Sequence, residues 1–135
     1  MSGQGARYLG ELLETNTTLE TLSLNVNEIG EEGGQYLAQA LEHNNTLTTL
    51  RLDSGRIGDQ GAKYFAEALK KNQTLTTIDL GSNGIGDEGA KHIAKGLQNN
   101  KTLVTMKLYS NAISAQAIEE TKKILKTNEN LTVDW

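Results

Sequence analysis

The chain has 135 residues, 36% of them hydrophobic and 4% aromatic, carries a net charge of -4, and contains neither cysteine nor proline. That length fits one domain with an aliphatic core, and the missing thiols exclude a disulfide framework and a thiolate metal site or nucleophile. The acidic balance argues against a nucleic-acid partner, which needs clustered Lys and Arg.

Residues 3 to 15 begin the chain with a helical pattern in which Gly5, Ala6, Leu9 and Leu13 align with Gly61, Ala62, Phe65 and Leu69 further on. Self-comparison explains the match. Leu19, Leu47, Leu75, Leu103 and Leu131 recur at intervals of 28 residues, each preceded at the same interval by Asn16, Asn44, Asn72, Asn100 and Asn128. A period of that length marks stacked supersecondary units. The chain therefore divides into a helix of an incomplete first repeat (1–15), full repeats over 16–43, 44–71, 72–99 and 100–127, and a terminal strand or cap over 128–135, all within one domain. No strand half precedes the first helix, so a strand over Leu19 to Leu24 would be an open sheet edge. This predicts either a fragment of a longer array or self-association through the N-terminal sheet edge.

The strand halves read LETLSLNVN, LTTLRLDSG, LTTIDLGSN and LVTMKLYSN, then a truncated LTVDW. Their alternation turns one side chain in two toward the core. After each turn, Glu31, Asp59 and Asp87 fall where an acidic residue suits a helix N-terminus. The inward helix positions are then Gly34, Leu37, Ala38 and Leu41, next Ala62, Phe65, Ala66 and Leu69, and again Ala90, Ile93, Ala94 and Leu97. Asn44, Asn72, Asn100 and Asn128 close the helices, where a left-handed residue is expected and Asn tolerates it. Repeated strand–helix units give a parallel sheet, and because helices are wider than the strand spacing of about 4.8 Å, the product is an α/β solenoid with strands on its concave face. In the last helix, Ala115 to Lys126, Thr121 and Lys122 replace a bulky apolar residue and Ala. Counted at constant spacing, Asp134 falls at the inward position of Leu22, Leu50, Ile78 and Met106. Residues 112–135 thus read as a polar C-terminal cap.

The pattern LxxLxLxxNxIgdeGaxxlAxaLxxN resembles the leucine-rich repeats of the ribonuclease-inhibitor type, found in ribonuclease inhibitor, NOD-like immune receptors, Ran GTPase-activating proteins and tropomodulin. The resemblance spans nearly the whole chain and implies a curved horseshoe whose concave face or loops bind proteins. It also implies a structural ladder for the turn asparagines Asn27, Asn83 and Asn111, whose amides would bond neighbouring turns. Gly55 interrupts that series, so Gly55→Asn is expected to stabilise the stack. The cysteine-rich strands of ribonuclease inhibitor and any nucleotide-binding domain are missing, and the even repeats are compatible with an engineered module.

For function, the outward strand positions form columns. Thr21, Thr49, Thr77, Thr105 and Val133 make a uniform stripe that reads as strand propensity. Ser23, Arg51, Asp79, Lys107 and Trp135 make a second column, and Asn25, Asp53, Gly81 and Tyr109 a third. The variable members Arg51, Asp53, Asp79, Gly81, Lys107 and Tyr109 are the candidate partner-binding residues, Tyr109 standing beside a hollow left by Gly81. The plain alternative is that Arg51, Asp79 and Lys107 pair with one another across strands, and that Trp135 shields the core. Repeat-locked spacing assigns the sequons at Asn16, Asn44, Asn72 and Asn100 to helix ends rather than glycosylation. His43 and His92 lack companions for a metal. GIGDEG lacks the Gly-Lys-Ser/Thr ending of a phosphate loop. No catalytic constellation can be assembled, so no enzyme activity, cofactor or metal is expected. The N-terminus lacks the apolar run of a signal peptide, and no segment is apolar over a membrane-spanning length, so a cytoplasmic protein without membrane association is anticipated. The leading reading is a non-enzymatic module that binds a protein partner. A scaffold without a ligand and a domain that regulates a GTPase remain alternatives.

Overall fold

A computed structural model describes residues 2–135, which form five helices alternating with five short strands. The order is α1 (Gly3–Thr15), β1 (Thr21–Ser23), α2 (Gly30–His43), β2 (Thr49–Arg51), α3 (Gly58–Lys71), β3 (Thr77–Asp79), α4 (Asp87–Leu97), β4 (Thr105–Lys107), α5 (Ala115–Leu125) and β5 (Thr132–Asp134). The strands make one parallel sheet in sequence order, β1 to β5. Each helix packs on its sequence neighbours. The result is an α/β solenoid of stacked repeats with strands on the concave side and helices on the convex side.

Between the layers runs one aliphatic core. Leu50, Ile78 and Met106 project into it from the strands, and Leu37, Leu41, Phe65, Leu69, Ile93 and Leu97 from the helices, with all of these buried. The inward helix positions expected from the spacing are all buried, and Ala38, Ala66 and Ala94 allow the close approach that larger side chains would block.

Two rows of asparagine amides tie the repeats together. In the turn row, Asn83 Oδ1 accepts from the Gly55 and Ile57 amides (2.9 and 3.3 Å), and its Nδ2 donates to the Leu52 and Gly81 carbonyls, both at 2.9 Å. Asn111 does the same for Asn83 and Ile85. Asn27 donates to the Leu24 and Asn25 carbonyls. Gly55 breaks the row, and the Ile29 amide donates instead to the Asn27 carbonyl at 2.9 Å.

The second row corrects the expectation for the helix ends. Asn16, Asn44 and Asn72 are not left-handed; they are extended, with φ between -68 and -74°. Their value lies in the side chain. Asn44, Asn72, Asn100 and Asn128 are buried, and each Nδ2 donates to the carbonyl of a leucine at the end of the preceding helix: Leu13, Leu41, Leu69 and Leu97, at 2.7–2.8 Å. The Oδ1 atoms of Asn44, Asn72 and Asn100 accept from the amides two and three residues on. Each of these three Nδ2 groups also donates to the carbonyl of the asparagine 28 residues earlier, and a serine or glycine could not fill four bonds from one buried side chain.

The acidic helix starts also act differently from the expectation. Asp59 does not cap α3; its Oδ1 accepts from Gly86 (2.6 Å) and Gly89 (3.1 Å), at the N-terminus of α4. Asp87 likewise accepts from the amide and hydroxyl of Ser114, which in turn caps α5 through Ala117. Each carboxylate serves the next helix, where it meets free amides and the positive end of the dipole.

At the C-terminal end the 28-residue count fails by one. Thr105 pairs with Thr132, Met106 with Val133 and Lys107 with Asp134. Val133, not Asp134, therefore takes the inward position, Thr132 continues the threonine stripe, and Asp134 is exposed beside Lys107. Keeping the count would have buried a carboxylate against the core, and a one-residue slip exchanges the two faces of a strand. The shortened turn has a visible cost: Leu131 donates to the Asn128 carbonyl, and Asn128 Oδ1 is left buried without a partner. Trp135 packs against the core edge beside Leu125, Leu131 and Val133, as the shielding alternative requires, and does not continue the Arg51 column. The cap is less polar than expected. Lys122 is exposed, but Thr121 is 0% exposed and its hydroxyl has no partner.

Candidate partner-binding face

The parallel register brings Ser23, Arg51, Asp79, Lys107 and Asp134 into one row across the sheet. Since side chains alternate along a strand, this row and the threonine row both point away from the helices. Asn25, Asp53, Gly81 and Tyr109 follow where the strands run into their turns.

Of the six candidate residues the structure joins four. Asp79 is 5% exposed, and its Oδ1 accepts from the Gly81 amide at 3.1 Å. Its Oδ2 lies 3.5 Å from both Lys107 Nζ and the Tyr109 hydroxyl, which donates to it. No open hollow remains at Gly81, because the Tyr109 ring lies over it so closely that a Cβ there would collide with the ring. Gly81 and Asp79 thus lie buried beneath Tyr109 and Lys107. Burial, reinforced by the negative charges of Asp79 and Asp53, pushes the Tyr109 hydroxyl above its usual titration range.

Arg51 and Asp53 stand apart from this cluster. Cross-strand pairing holds for Asp79 with Lys107 but not for Arg51, which is exposed next to Asp79 in register and makes no ion pair among the described residues. Asp53 accepts from the neighbouring Ser54 hydroxyl, at 3.3 Å. The face thus carries an unpaired guanidinium and a half-exposed carboxylate on one strand. Two strands away sit a tyrosine and a lysine fixed by a buried aspartate.

Sequence reasoning overlooked Val26. It is 80% exposed and left-handed, with φ 56°, at the position where later repeats place Ser54, Ser82 and Ser110. A β-branched residue is strained there. The available signal was a lone valine in a column of serines. Among the described residues no group of His, Cys, Asp and Glu could hold a metal, and no helix is long and apolar enough to cross a membrane.

A family model described as "Leucine Rich repeat" matches residues 15–38, 43–66 and 71–94, together just over half of the chain. No curated protein sequence matches. Among solved structures, the chain is similar to "Leiomodin-1 Actin-Binding Site 2 (ABS2)", with a TM-score of 0.84 and 25% identity over 97% of this chain and 76% of that one. It is also similar to the tropomodulin C-terminal domain of Caenorhabditis elegans, with a TM-score of 0.81 and 17% identity over 97% of this chain and 80% of that one. The likeness to the TLR13–ssRNA13 complex is more distant, with a TM-score of 0.55 and 18% identity over 92% of this chain and 16% of that one.

Proposed function

Because the chain belongs to the leucine-rich repeat family, we propose that it is a non-enzymatic interaction module that binds a protein partner through its strand face. The observation that carries this reading is the contrast on that face. A uniform threonine stripe runs beside an unpaired Arg51 and a Tyr109 held in place by Asp79. Tyrosine and arginine are enriched at interface hot spots, and a side chain already fixed in the free protein loses less entropy on binding. Arg51, Asp53, Lys107 and Tyr109 are the contact set, with Asp79 and Gly81 positioning the last two.

Actin is the first partner to test, since the leiomodin segment to which this chain is similar is an actin-binding site. Binding of the parent chain to monomeric and filamentous actin should be compared with Arg51→Ala, Tyr109→Ala and the double variant. The proposal expects loss of binding in the double variant with its thermal unfolding nearly unchanged. Binding by the parent that survives the double variant would move the site off the strand face. A parent that captures neither actin nor any other protein would favour the scaffold reading.

A further inference from the structure

The 28-residue repeat makes the charges on the helix layer comparable position by position, and they are unevenly placed. Nine of the 13 lysines and arginines fall after residue 69, all nine of them lysines, whereas ten of the 17 acidic residues fall before it. Four of these lysines gather where the last two helices end. Lys95 and Lys123 stand in register on α4 and α5, which pack together, Lys126 follows the end of α5, and Lys101 lies in the turn from α4 to β4. All four are exposed, and among the described residues none makes an ion pair. By contrast, Lys70, Lys71 and Lys122 are tied to Glu67, Glu42 and Glu119. Glu129, one repeat on from Lys101, is exposed and does not pair with it.

The helix ends do not require this charge. Lysines near a helix C-terminus offset its dipole, yet the position of Lys95 and Lys123 is held by Glu11, Gln39 and Glu67 in the first three helices, and that of Lys126 by Glu14 and Glu42 in the first two. Helix α1 has no basic residue in its last turn, and α2 has only His43. Four unpaired ammonium groups also exceed the charge of two helix ends, about half a unit each. The surplus is a concentrated positive charge that an anion from outside would relieve.

A cleft of about 200 Å³ opens beside it, between the ends of α3 and α4, lined by Lys70, Lys95, Gly96, Asn99 and Asn100. The two helices come close here, since a Cβ on Gly96 would run into the Ala66 carbonyl. Asn100 Nδ2 is committed to the Leu69 and Asn72 carbonyls, and Lys70 Nζ lies 2.9 Å from both oxygens of Glu67. Lys95 and the side chain of Asn99 are the donors left to a ligand.

We propose that the ends of α4 and α5 form a second docking surface, whose occupant is an extended acidic segment of a partner protein. One carboxylate enters the cleft to meet Lys95 and Asn99, and others follow along the segment onto Lys123 and Lys126. Packed helices lie about 10 Å apart and an extended chain rises about 3.3 Å per residue, so carboxylates at every third position step from one helix to the next. Glu67, Glu119 and Glu129 flank the lysines and would oppose a uniformly anionic bilayer, whereas a protein segment can place its charges between them. The strand face lies on the other side of the sheet and takes no part, so this proposal and the partner-binding one fail independently.

Titrating the isotopically labelled full chain with a peptide that carries glutamate at every third position among glycine and serine, followed by amide NMR shifts, tests it. The shifts should concentrate at the ends of α4 and α5 and fade with added salt. Lys95→Glu and Lys123→Glu should each raise the peptide dissociation constant by roughly threefold or more, since an exposed ion pair becomes a repulsion, with helical circular dichroism unchanged. Lys63→Glu, an equal change of net charge elsewhere on α3, should leave binding as it is, and so should Arg51→Ala with Tyr109→Ala. A parent that shows no shifts, shifts spread over all the lysines, or a Lys63→Glu effect as large as that of Lys95→Glu would overturn the proposal. So would tighter binding of phosphatidylserine vesicles, or of a single-stranded oligonucleotide of the same charge as the peptide.

Discussion

Replacing Asn83 with alanine isolates the contribution of one amide to the stack. The side chain is 2% exposed and makes four bonds, accepting from Gly55 and Ile57 and donating to Leu52 and Gly81. Alanine leaves two buried N–H groups and two carbonyls to find other partners. An orphaned buried donor costs about 1–3 kcal/mol, and the carbonyls cost less, since that of Gly81 also accepts from Ser54. Allowing for entry of a water, the expected loss is about 3–4 kcal/mol. Denaturant unfolding followed by far-ultraviolet circular dichroism gives this number directly, provided the slope with denaturant is unchanged. Gly55→Asn is the reciprocal experiment. A Cβ at Gly55 would sit 3.0 Å from Asn83 Oδ1 and 3.1 Å from the Leu52 carbonyl, which is tight. Yet Asn83, with its own Cβ, stands in the same relation to Asn111, its amide 2.9 Å from Asn111 Oδ1. The gain should therefore be about 0.5–1.5 kcal/mol, the worth of one or two net hydrogen bonds. A loss of less than about 1 kcal/mol in Asn83→Ala, or a lowered melting temperature in Gly55→Asn, would refute the ladder reasoning.

Three further outcomes follow from single side chains. Val26→Ser should stabilise the protein by about 1 kcal/mol in the same unfolding assay, because it relieves left-handed strain at a β-branched residue and removes an exposed apolar group. Thr121→Val should also stabilise, by about 1 kcal/mol, because it removes a fully buried hydroxyl that has no partner; a destabilised variant would mean that the hydroxyl is satisfied in solution. In a spectrophotometric titration, the Tyr109 hydroxyl should ionise above the usual tyrosine range, and Tyr109→Phe should delete that phase. The sign for stability is as for any group whose folded-state pKa is raised. The contribution of Tyr109 is intact below the unfolded value near 10, and it is lost as the pH rises from there through the folded value.

The legible part of the site was its register through the fourth strand. A period of 28 placed Arg51, Asp79 and Lys107 side by side because parallel neighbours in identical repeats cannot be out of step. Which of them would pair was not legible. Arg51 and Lys107 flank the same carboxylate, and in the fold it pairs with Lys107, on the side where Tyr109 is seated over Gly81. The asparagines at the helix ends were found by their spacing and misread in their conformation. Local rules describe what one residue's backbone can do, whereas their partners lie 28 and 31 residues away.

By itself, then, the sequence determined the architecture: repeat length, strand and helix faces, the aliphatic interior and the break at Gly55 all follow from periodicity, which is a property of neighbours along the chain. Tertiary structure decided what depends on neighbours across the stack. It turned Asp59 and Asp87 to the following helix, and it moved β5 by one residue so that Val133 rather than Asp134 faced the core. The physical reason is common to both. A buried amide or carboxylate is satisfied by whatever group the stack brings within about 3 Å, and that distance is set between repeats rather than within one.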